Sequence, residues 1–339
     1  MRAKTMVLLS ASLFLISIII GGCTTMQSQT VTTTSKYPIK PITVIVPFSA
    51  GGGLDLTARA LGNLAPKYMG QSLVVVNKTG GAGAIGYNEV AGANPDGYTV
   101  GIVSSDMLLL SIYGSGKYEY LTALEPLVQV VSVPMILVVK ADQPWENLND
   151  LTTYARQHPR QLKFGHSGIG SFPHVLGEMF AHESGIEVEQ VPFSGGSEST
   201  TALLGGHVQF IFTTPTLIKE HIKNGTLRTL ATTSQQRMTD PLFAPIPTLK
   251  EQGVKITLTN WFGIAVPKET SAKIKNELAE GFRAMINDPQ FQSNMDNISL
   301  PVEYLGPKES QAKWIADSQT MAKALNETGV LERIKAQRK

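Results

Sequence analysis

The chain has 339 residues, of which 17% are charged, and its formal net charge is +2. The charged fraction is below the roughly 25% that is typical of soluble proteins. No basic run interleaved with aromatic residues occurs, so a nucleic-acid partner is excluded. The chain is too long for one ordinary hydrophobic core, and two domains are expected.

The first residues have the pattern of an export signal that ends at a lipid-attachment site. Arg2 and Lys4 precede an apolar run from residue 6 to residue 20, which is shorter than the roughly 20 residues that span a bilayer comfortably. Small residues then precede Cys23, the only cysteine of the chain, as at a secretory cleavage site. Because this junction resembles a bacterial lipobox, we expect residues 1–22 to be a signal peptide and Cys23 to carry lipid. An uncleaved signal anchor is the alternative, and residues 23–37 are expected to be a flexible tether.

The rest of the chain alternates short apolar runs with amphipathic segments. This alternation predicts an α/β fold with mainly parallel sheets. The predicted strands are Thr43–Val46, Leu73–Val76, Tyr98–Val103, Ile136–Val139, Leu162–Gly165 and Val188–Pro192, and the predicted helices of the second half are Pro173–Glu183 and Glu198–Leu204. A crossing near residue 139 and a return near residue 264 predict a first lobe of residues 38–139 and 265–339, and a second lobe of residues 140–264.

Three glycine-rich loops precede predicted helices and are the candidate binding elements. They span residues 48–53, 165–171 and 195–197. Glycine lets the backbone approach a ligand closely, and the first N–H groups of a helix bind anions without a cationic side chain. The first loop is followed by Asp55, and no Lys or Arg occurs until Arg59. These loops predict a carboxylate site between helix N-termini; ordinary tight turns are the alternative.

Two enzyme classes fit the sequence less well. Residues 81–86 match the G-x-G-x-x-G pattern, and Asp106 follows at a suitable spacing, but an exported protein meets little nicotinamide cofactor. Residues 165–169 depart from the serine-hydrolase pattern because Ile169 replaces the final glycine that the tight strand–helix turn needs. The order Ser, acid, His also fails, since Asp240 is the first Asp after Ser167 and lies beyond the last histidine.

The histidines do not predict a metal site. His158, His166, His174 and His182 recur at intervals of eight residues. At roughly 100° per residue, this spacing places successive side chains about 80° apart on a helix, whereas helical metal ligands share one face. No enzyme activity, metal or cofactor is therefore expected, and His174 is kept as a candidate ligand contact.

Six motifs occur in one order along almost the whole chain after Tyr37. They are Pro47-Phe48-Ser49-Ala50-Gly51-Gly52-Gly53-Leu54-Asp55, Asn77-Lys78-Thr79-Gly80-Gly81-Ala82-Gly83, Asn94-Pro95-Asp96-Gly97-Tyr98-Thr99, Ser167-Gly168-Ile169-Gly170-Ser171 with His174, Val191-Pro192-Phe193-Ser194-Gly195-Gly196, and Trp261-Phe262-Gly263. In this arrangement the chain resembles the substrate-binding component of tripartite tricarboxylate transporters, the Bug-type family.

The resemblance implies a type II periplasmic-binding-protein fold, in which two lobes joined by a hinge close on a small carboxylate. It also implies a monomer outside the cytoplasm that serves membrane permease subunits; a ligand-binding subunit of an extracytoplasmic sensor is the alternative. The site residues that it implies are Phe48, Ser49, Ala50, Gly51, Gly52, Gly53, Asp55, Ser105, Ser167, Gly168, Gly170, Ser171, His174, Gly195 and Gly196. Asp106 departs from the family pattern, and its charge near the pocket puts a dicarboxylate or tricarboxylate ligand in doubt.

Overall fold

The structure, a computed structural model, describes residues 37–337. The predicted signal peptide, Cys23 and the predicted tether up to residue 36 lie outside the described residues. The strands are β1 (Ile42–Val46), β2 (Leu73–Asn77), β3 (Thr99–Ser104), β4 (Leu124–Pro134), β5 (Ile136–Lys140), β6 (Lys163–His166), β7 (Glu189–Pro192), β8 (Phe210–Thr213), β9 (Leu227–Thr232), β10 (Thr259–Pro267) and β11 (Val302–Leu305).

The helices alternate with these strands. They are α1 (Gly53–Met69), α2 (Ala84–Ala91), α3 (Asp106–Tyr113), α4 (Tyr120–Ala123), α5 (Leu148–Gln157), α6 (Phe172–Ser184), α7 (Gly196–Leu204), α8 (Pro215–Lys223), α9 (Ala272–Ile286), α10 (Pro289–Asn297), α11 (Pro307–Glu327) and α12 (Val330–Gln337). All six predicted strands and both predicted second-half helices are confirmed, with bounds that differ by one or two residues.

The strands form two sheets, and each sheet is the centre of one lobe. The first sheet has the order β11-β4-β10-β3-β1-β2, and the second has the order β7-β6-β8-β5-β9. Strand β1 pairs in parallel with β2 and β3, and β6 pairs in parallel with β7 and β8. The antiparallel pairings involve the strands that follow or precede the passages between lobes. The fold is therefore the α/β, two-lobed periplasmic-binding-protein fold.

The chain passes between the lobes beside long buried strands. Strand β4 belongs to the first sheet and β5, directly after it, to the second; β9 belongs to the second sheet and β10 to the first. The passages therefore lie between Pro134 and Ile136 and between Thr232 and Thr259. The lobe limits at residues 139 and 264 stay a prediction, because they depend on which residues turn when the lobes move.

Local sequence accounts for the elements that carry the site. Strand β1 is buried along most of its length, as expected for a parallel strand covered on both faces. Helix α6 has Ser171 as its N-cap, and its C-cap Gly185 adopts the left-handed conformation that glycine favours, as the sequence predicted.

The C-terminal helices cover both lobes. Helix α11 packs on β4 and α3, and its Trp314 stacks on Trp261 of β10 with ring centroids 5.8 Å apart. Helix α12 packs on α6 of the second lobe. Within residues 37–337, every helix is too short or too polar to cross a membrane.

Candidate ligand-binding site

A cavity lies between the two lobes, at the carboxyl ends of β1, β3, β6 and β8. The cavity has a volume of about 50 Å³ and is enclosed by residues of both lobes. The lining residues are Phe48, Ser49, Gly52, Gly53, Leu54, Asp55, Asp106, Met135, Ser167, Pro173, Gly196, Phe212, Thr213, Thr214, Leu217, Asn260 and Phe262.

Three helices begin at this cavity without a side-chain cap. Their N-cap residues are Gly52 for α1, Gly195 for α7 and Thr214 for α8. At none of the three does a side chain of the N-cap residue accept a hydrogen bond from the helix. The first N–H groups of a helix have no carbonyl partner within it, and the helix dipole makes this end positive. The cavity therefore offers hydrogen-bond donors to an anion, although its described lining includes no Lys, Arg or His.

A fourth helix start, that of α6, is already occupied by a carboxylate of the protein. The backbone N–H of Phe172 donates to Asp106 Oδ1 at 2.7 Å, and Ser171 Oγ accepts from the N–H of His174. Asp106 begins α3 in the first lobe, so this hydrogen bond crosses the cleft. The N–H of Phe172 is therefore already paired with Asp106, and the role of the second loop in ligand binding stays a prediction.

Burial and hydrogen bonds act in opposite directions on the pKa of Asp106. Its side chain is 2% exposed, and burial raises its pKa, while hydrogen bonds from the Phe172 N–H, the Ser104 hydroxyl and the Asn260 amide partly offset that rise. Ser104 Oγ donates to Asp106 Oδ2 at 2.7 Å. A carboxylate has about four lone-pair positions, and these hydrogen bonds occupy most of them.

The first and third loops touch each other above the cavity. Ser49 Oγ lies 2.9 Å from Ser197 Oγ, and Ser197 Oγ also donates to the carbonyl of Ala50 at 3.0 Å. The N–H of Ser49 points at the carbonyl of Ser194 at 3.4 Å. Because Ser49 and Ala50 belong to the first lobe and the other two residues to the second, the lobes are closed over the cavity.

Asp55 holds the first loop in shape. Its Oδ2 accepts from the N–H of Gly51 and from Arg59 Nε, both at 2.9 Å, and its Oδ1 accepts from Asn77 Nδ2 at 3.0 Å. Burial alone would raise the pKa of Asp55, but these hydrogen bonds lower it below its usual range. Asp55 therefore stabilises the conformation of the first loop, and it also forms part of the cavity wall.

The structure brings about half of the predicted site residues to the cavity wall. Those that line it are Phe48, Ser49, Gly52, Gly53, Asp55, Ser167 and Gly196, and those that do not are Ala50, Gly51, Ser105, Gly168, Gly170, Ser171, His174 and Gly195. Of the second group, Gly168 borders a neighbouring groove, Ala50 and Gly51 are exposed, and others lie behind the wall. Ser105, for example, donates its hydroxyl to Asn260 Oδ1, and Asn260 is part of the wall.

His174 lies beneath the second loop and is fully buried. Its Nδ1 accepts the N–H of Gly170 at 3.0 Å, and its Nε2 faces Glu178 Oε1 at 3.6 Å. The imidazole lies in the first turn of α6 and supports the loop from below, and its contact with a ligand stays a prediction.

Two threonines are among the cavity residues that were missing from the sequence prediction. Thr213 ends β8, Thr214 is the N-cap residue of α8, and their side-chain hydroxyls are buried without a hydrogen-bond partner among the described residues. A buried hydroxyl without a partner is costly, and such groups require an explanation. The signal was present in the sequence Thr213-Thr214-Pro215, since Thr before Pro is a typical helix start after a strand.

The geometry gives the enzyme alternatives no support. His166 Nε2 contacts Gln190 Oε1, and His174 Nδ1 accepts the N–H of Gly170. These two imidazole nitrogens therefore have partners other than Ser167. Gly86 of the G-x-G-x-x-G segment has a packing reason, because a Cβ there would lie 2.8 Å from Pro47 Cα. Within residues 37–337, no group of three or more potential metal ligands occurs.

Comparison with known proteins identifies the family of this chain. The model of the tripartite tricarboxylate transporter family receptor matches residues 57–330. BugT of Bordetella pertussis is 35% identical over 242 residues, which cover 70% of this chain and 74% of BugT.

Solved structures agree with this assignment. The periplasmic binding protein BugD shares 31% identity with a TM-score of 0.82, covering 87% of this chain and 99% of BugD. The structure of R. palustris Rpa4515 with adipate shares 29% identity with a TM-score of 0.80, covering 86% of this chain and 98% of that one. The chain therefore belongs to the tripartite tricarboxylate transporter receptor family, whose members are extracytoplasmic solute-binding proteins and not enzymes.

Proposed function

We propose that this protein captures a small carboxylate outside the cytoplasm and delivers it to the membrane permease of a tripartite tricarboxylate-type transporter. The observation that carries the proposal is the convergence of three helix N-termini without side-chain caps, those of α1, α7 and α8, on one closed cavity. The adipate bound by the relative Rpa4515 supports a carboxylate as the ligand class.

Binding without turnover follows from the composition of the wall. Backbone N–H groups and hydroxyls can hold a carboxylate, and apolar side chains such as Phe48, Leu217 and Phe262 enclose its carbon chain. Because Ser49 and Ser197 meet only when the lobes are together, the ligand adds contacts that stabilise the closed state. The closed surface is then the form that a permease subunit recognises.

The protein is proposed to work as a monomer held at the membrane by lipid on Cys23. The small residues before Cys23 and the apolar run before them support this anchor. Replacement of Cys23 by Ser is expected to move the protein from the membrane fraction to the supernatant and to abolish labelling by a palmitate analogue. Thr25→Ser is the matched control, and a Cys23→Ser protein that stays in the membrane fraction would contradict the anchor.

A thermal-shift screen tests the binding function. The purified full chain is heated with a panel of aliphatic and aromatic carboxylates and with neutral controls. A ligand at about 100 times its dissociation constant adds about 2.7 kcal/mol to the free energy of unfolding, which produces a clear shift. A stabilising carboxylate supports the proposal, whereas a neutral solute that stabilises while every carboxylate fails would overturn it.

Gly53→Ala connects the shift to the cavity. A Cβ at Gly53 would lie 3.0 Å from Phe262 Cε2 and 3.8 Å from Thr214 Oγ1, both in the wall, so the methyl group takes ligand space. Gly62→Ala, in the same helix, is the control, because a Cβ there meets nothing closer than the Leu73 carbonyl oxygen at 3.7 Å. The shift should shrink in the first variant and persist in the second.

A further inference from the structure

We propose that Asp106 determines which carboxylates this protein accepts. In our proposal the ligand is a monocarboxylate whose far end carries a hydrogen-bond donor, an ammonium or a hydroxyl group, and a second carboxylate is rejected. The inference rests on the proposed function, since it names the substrate class of the same cavity.

The carboxylate of Asp106 accepts a hydrogen bond from the Phe172 N–H at the start of α6, a donor that a ligand carboxylate could otherwise use. Its Oδ1 takes the N–H of Phe172 at 2.7 Å, and Ser104 Oγ donates to its Oδ2 at 2.7 Å. Both contacts are buried, and Asp106 also lines the cavity. A second ligand carboxylate near this group would meet a like charge in a site that contains no described cationic side chain, which costs several kcal/mol by the usual measure of like-charge contacts.

The hydroxyls of Thr213 and Thr214 point to a ligand with polar groups. These side chains are 2% and 7% exposed, line the cavity and have no hydrogen-bond partner among the described residues. A threonine hydroxyl accepts as well as donates. These hydroxyl oxygens, beside the carboxylate of Asp106, can receive the hydrogens of an ammonium or hydroxyl group.

The three helix N-termini supply the complementary half of the site. The N–H groups at Gly53, Gly196 and the start of α8 favour one carboxylate, because helix N-termini attract negative charge. The helix N-termini thus favour a negative group of the ligand. Asp106, Thr213 and Thr214 favour a hydrogen-bond donor of the ligand. An amino acid or hydroxy acid satisfies both, whereas a dicarboxylate satisfies only the first.

Isothermal titration of matched pairs tests the inference. The probes are adipate, 6-aminohexanoate and 6-hydroxyhexanoate, and a shorter set of succinate, 4-aminobutanoate and 4-hydroxybutanoate. Each is titrated into the wild-type full chain and into Asp106→Asn, which keeps a carbonyl oxygen for the Phe172 N–H. Asp142→Asn is the control for loss of one negative charge, because Asp142 is exposed and pairs with Lys140 on the surface.

In the wild type, the better amino or hydroxy acid of a set should bind at least about tenfold more tightly than its dicarboxylate, and Asp106→Asn should reduce that ratio by at least about tenfold. Ratios are compared within one variant, so a change in protein stability does not imitate the effect. A dicarboxylate that binds more tightly than its partners, or a ratio unchanged in Asp106→Asn, would overturn the inference and leave the carboxylate receptor standing. Failure of every probe to bind would overturn the inference, and the proposed function would then be decided by the wider carboxylate panel of the thermal-shift screen.

Discussion

The guanidinium of Arg333 lies 3.0 Å from the carboxylate of Glu178, and Gln337 donates to the other carboxylate oxygen at 3.1 Å. These contacts join α12 to α6, the helix that begins after the second glycine loop. On the same helix, His174 faces Glu178 on one side and accepts the N–H of Gly170 on the other. Glu178 therefore connects the C-terminal helix with the loop that borders the cavity.

Glu178→Gln should destabilise the protein in a pH-dependent way. Burial alone would raise the pKa of Glu178, but its interactions with His174, Gln337 and Arg333 lower it to about 2. Because this folded-state pKa lies below the unfolded value of about 4.3, Glu178 stabilises the fold above about pH 5, and that stability is lost as the pH falls toward 2.

Urea unfolding of both proteins measures this difference. The loss in unfolding free energy in Glu178→Gln should be on the order of 3 kcal/mol near neutral pH and should shrink by about pH 3. Glu332→Gln, which removes an exposed partner of Lys335 on α12, is the control and should change little. A loss in Glu178→Gln that is equal at both pH values would be inconsistent with this ionisation.

Gly195→Ala should impede closure without disturbing the open lobe. The backbone at Gly195 is extended, with φ of 177°, so alanine adopts it without strain. In the closed state, however, its Cβ would lie 2.1 Å from Ser49 Oγ and 3.0 Å from the Ser49 backbone nitrogen across the cleft. We expect ligand affinity to fall at least about tenfold, while the unfolding free energy of the ligand-free protein stays nearly unchanged.

A second change distinguishes the cleft contact from a local effect of Gly195→Ala. Adding Ser49→Gly removes the Oγ and Cβ that the new methyl group would meet, so affinity should recover in part. Gly62→Ala serves as the unaffected comparison in titration calorimetry. Equal affinity of Gly195→Ala and the wild type would show that the loops need not meet when the ligand binds.

Thr213→Val should raise the free energy of unfolding and lower the affinity for the ligand. The buried Thr213 hydroxyl has no partner among residues 37–337, so replacing it with a methyl group should stabilise the ligand-free protein by about 1 kcal/mol. If the hydroxyl contacts the ligand, affinity should fall at the same time by about tenfold.

Thr270→Val is the matched control for that exchange. The Thr270 hydroxyl is also buried without a partner among the described residues, but Thr270 does not line the cavity. Denaturation and titration should show a similar gain in stability with unchanged affinity. A loss of affinity in Thr270→Val, or none in Thr213→Val, would contradict the assignment of Thr213 to the site.

The parts of the fold that were predictable are those that local patterns encode. The buried apolar run of β1, the glycines of residues 51–53 and the left-handed Gly185 each act through their own stretch of chain. The same patterns placed the first and third loops at the cavity, because strand ends and the helix starts that follow them lie together at one edge of a sheet.

The remaining features depend on contacts between distant residues. Asp106 and Phe172 are 66 positions apart, and their hydrogen bond forms only because two lobes meet. A sequence shows that Asp106 is acidic and close to a strand end, but it does not show that the carboxylate caps α6. In the same way, His174 was expected at the ligand because it follows a glycine loop. In the folded protein its two ring nitrogens face Gly170 and Glu178.

The measurement that tests the central claim most directly compares a carboxylate with its own amide. The tightest ligand of the carboxylate panel and the corresponding primary amide are titrated into the full chain by isothermal calorimetry. Helix N-termini favour a negative group over a neutral one of the same shape, so the carboxylate should bind at least about tenfold more tightly. Equal or tighter binding of the amide would contradict an anion site at the N-termini of α1, α7 and α8.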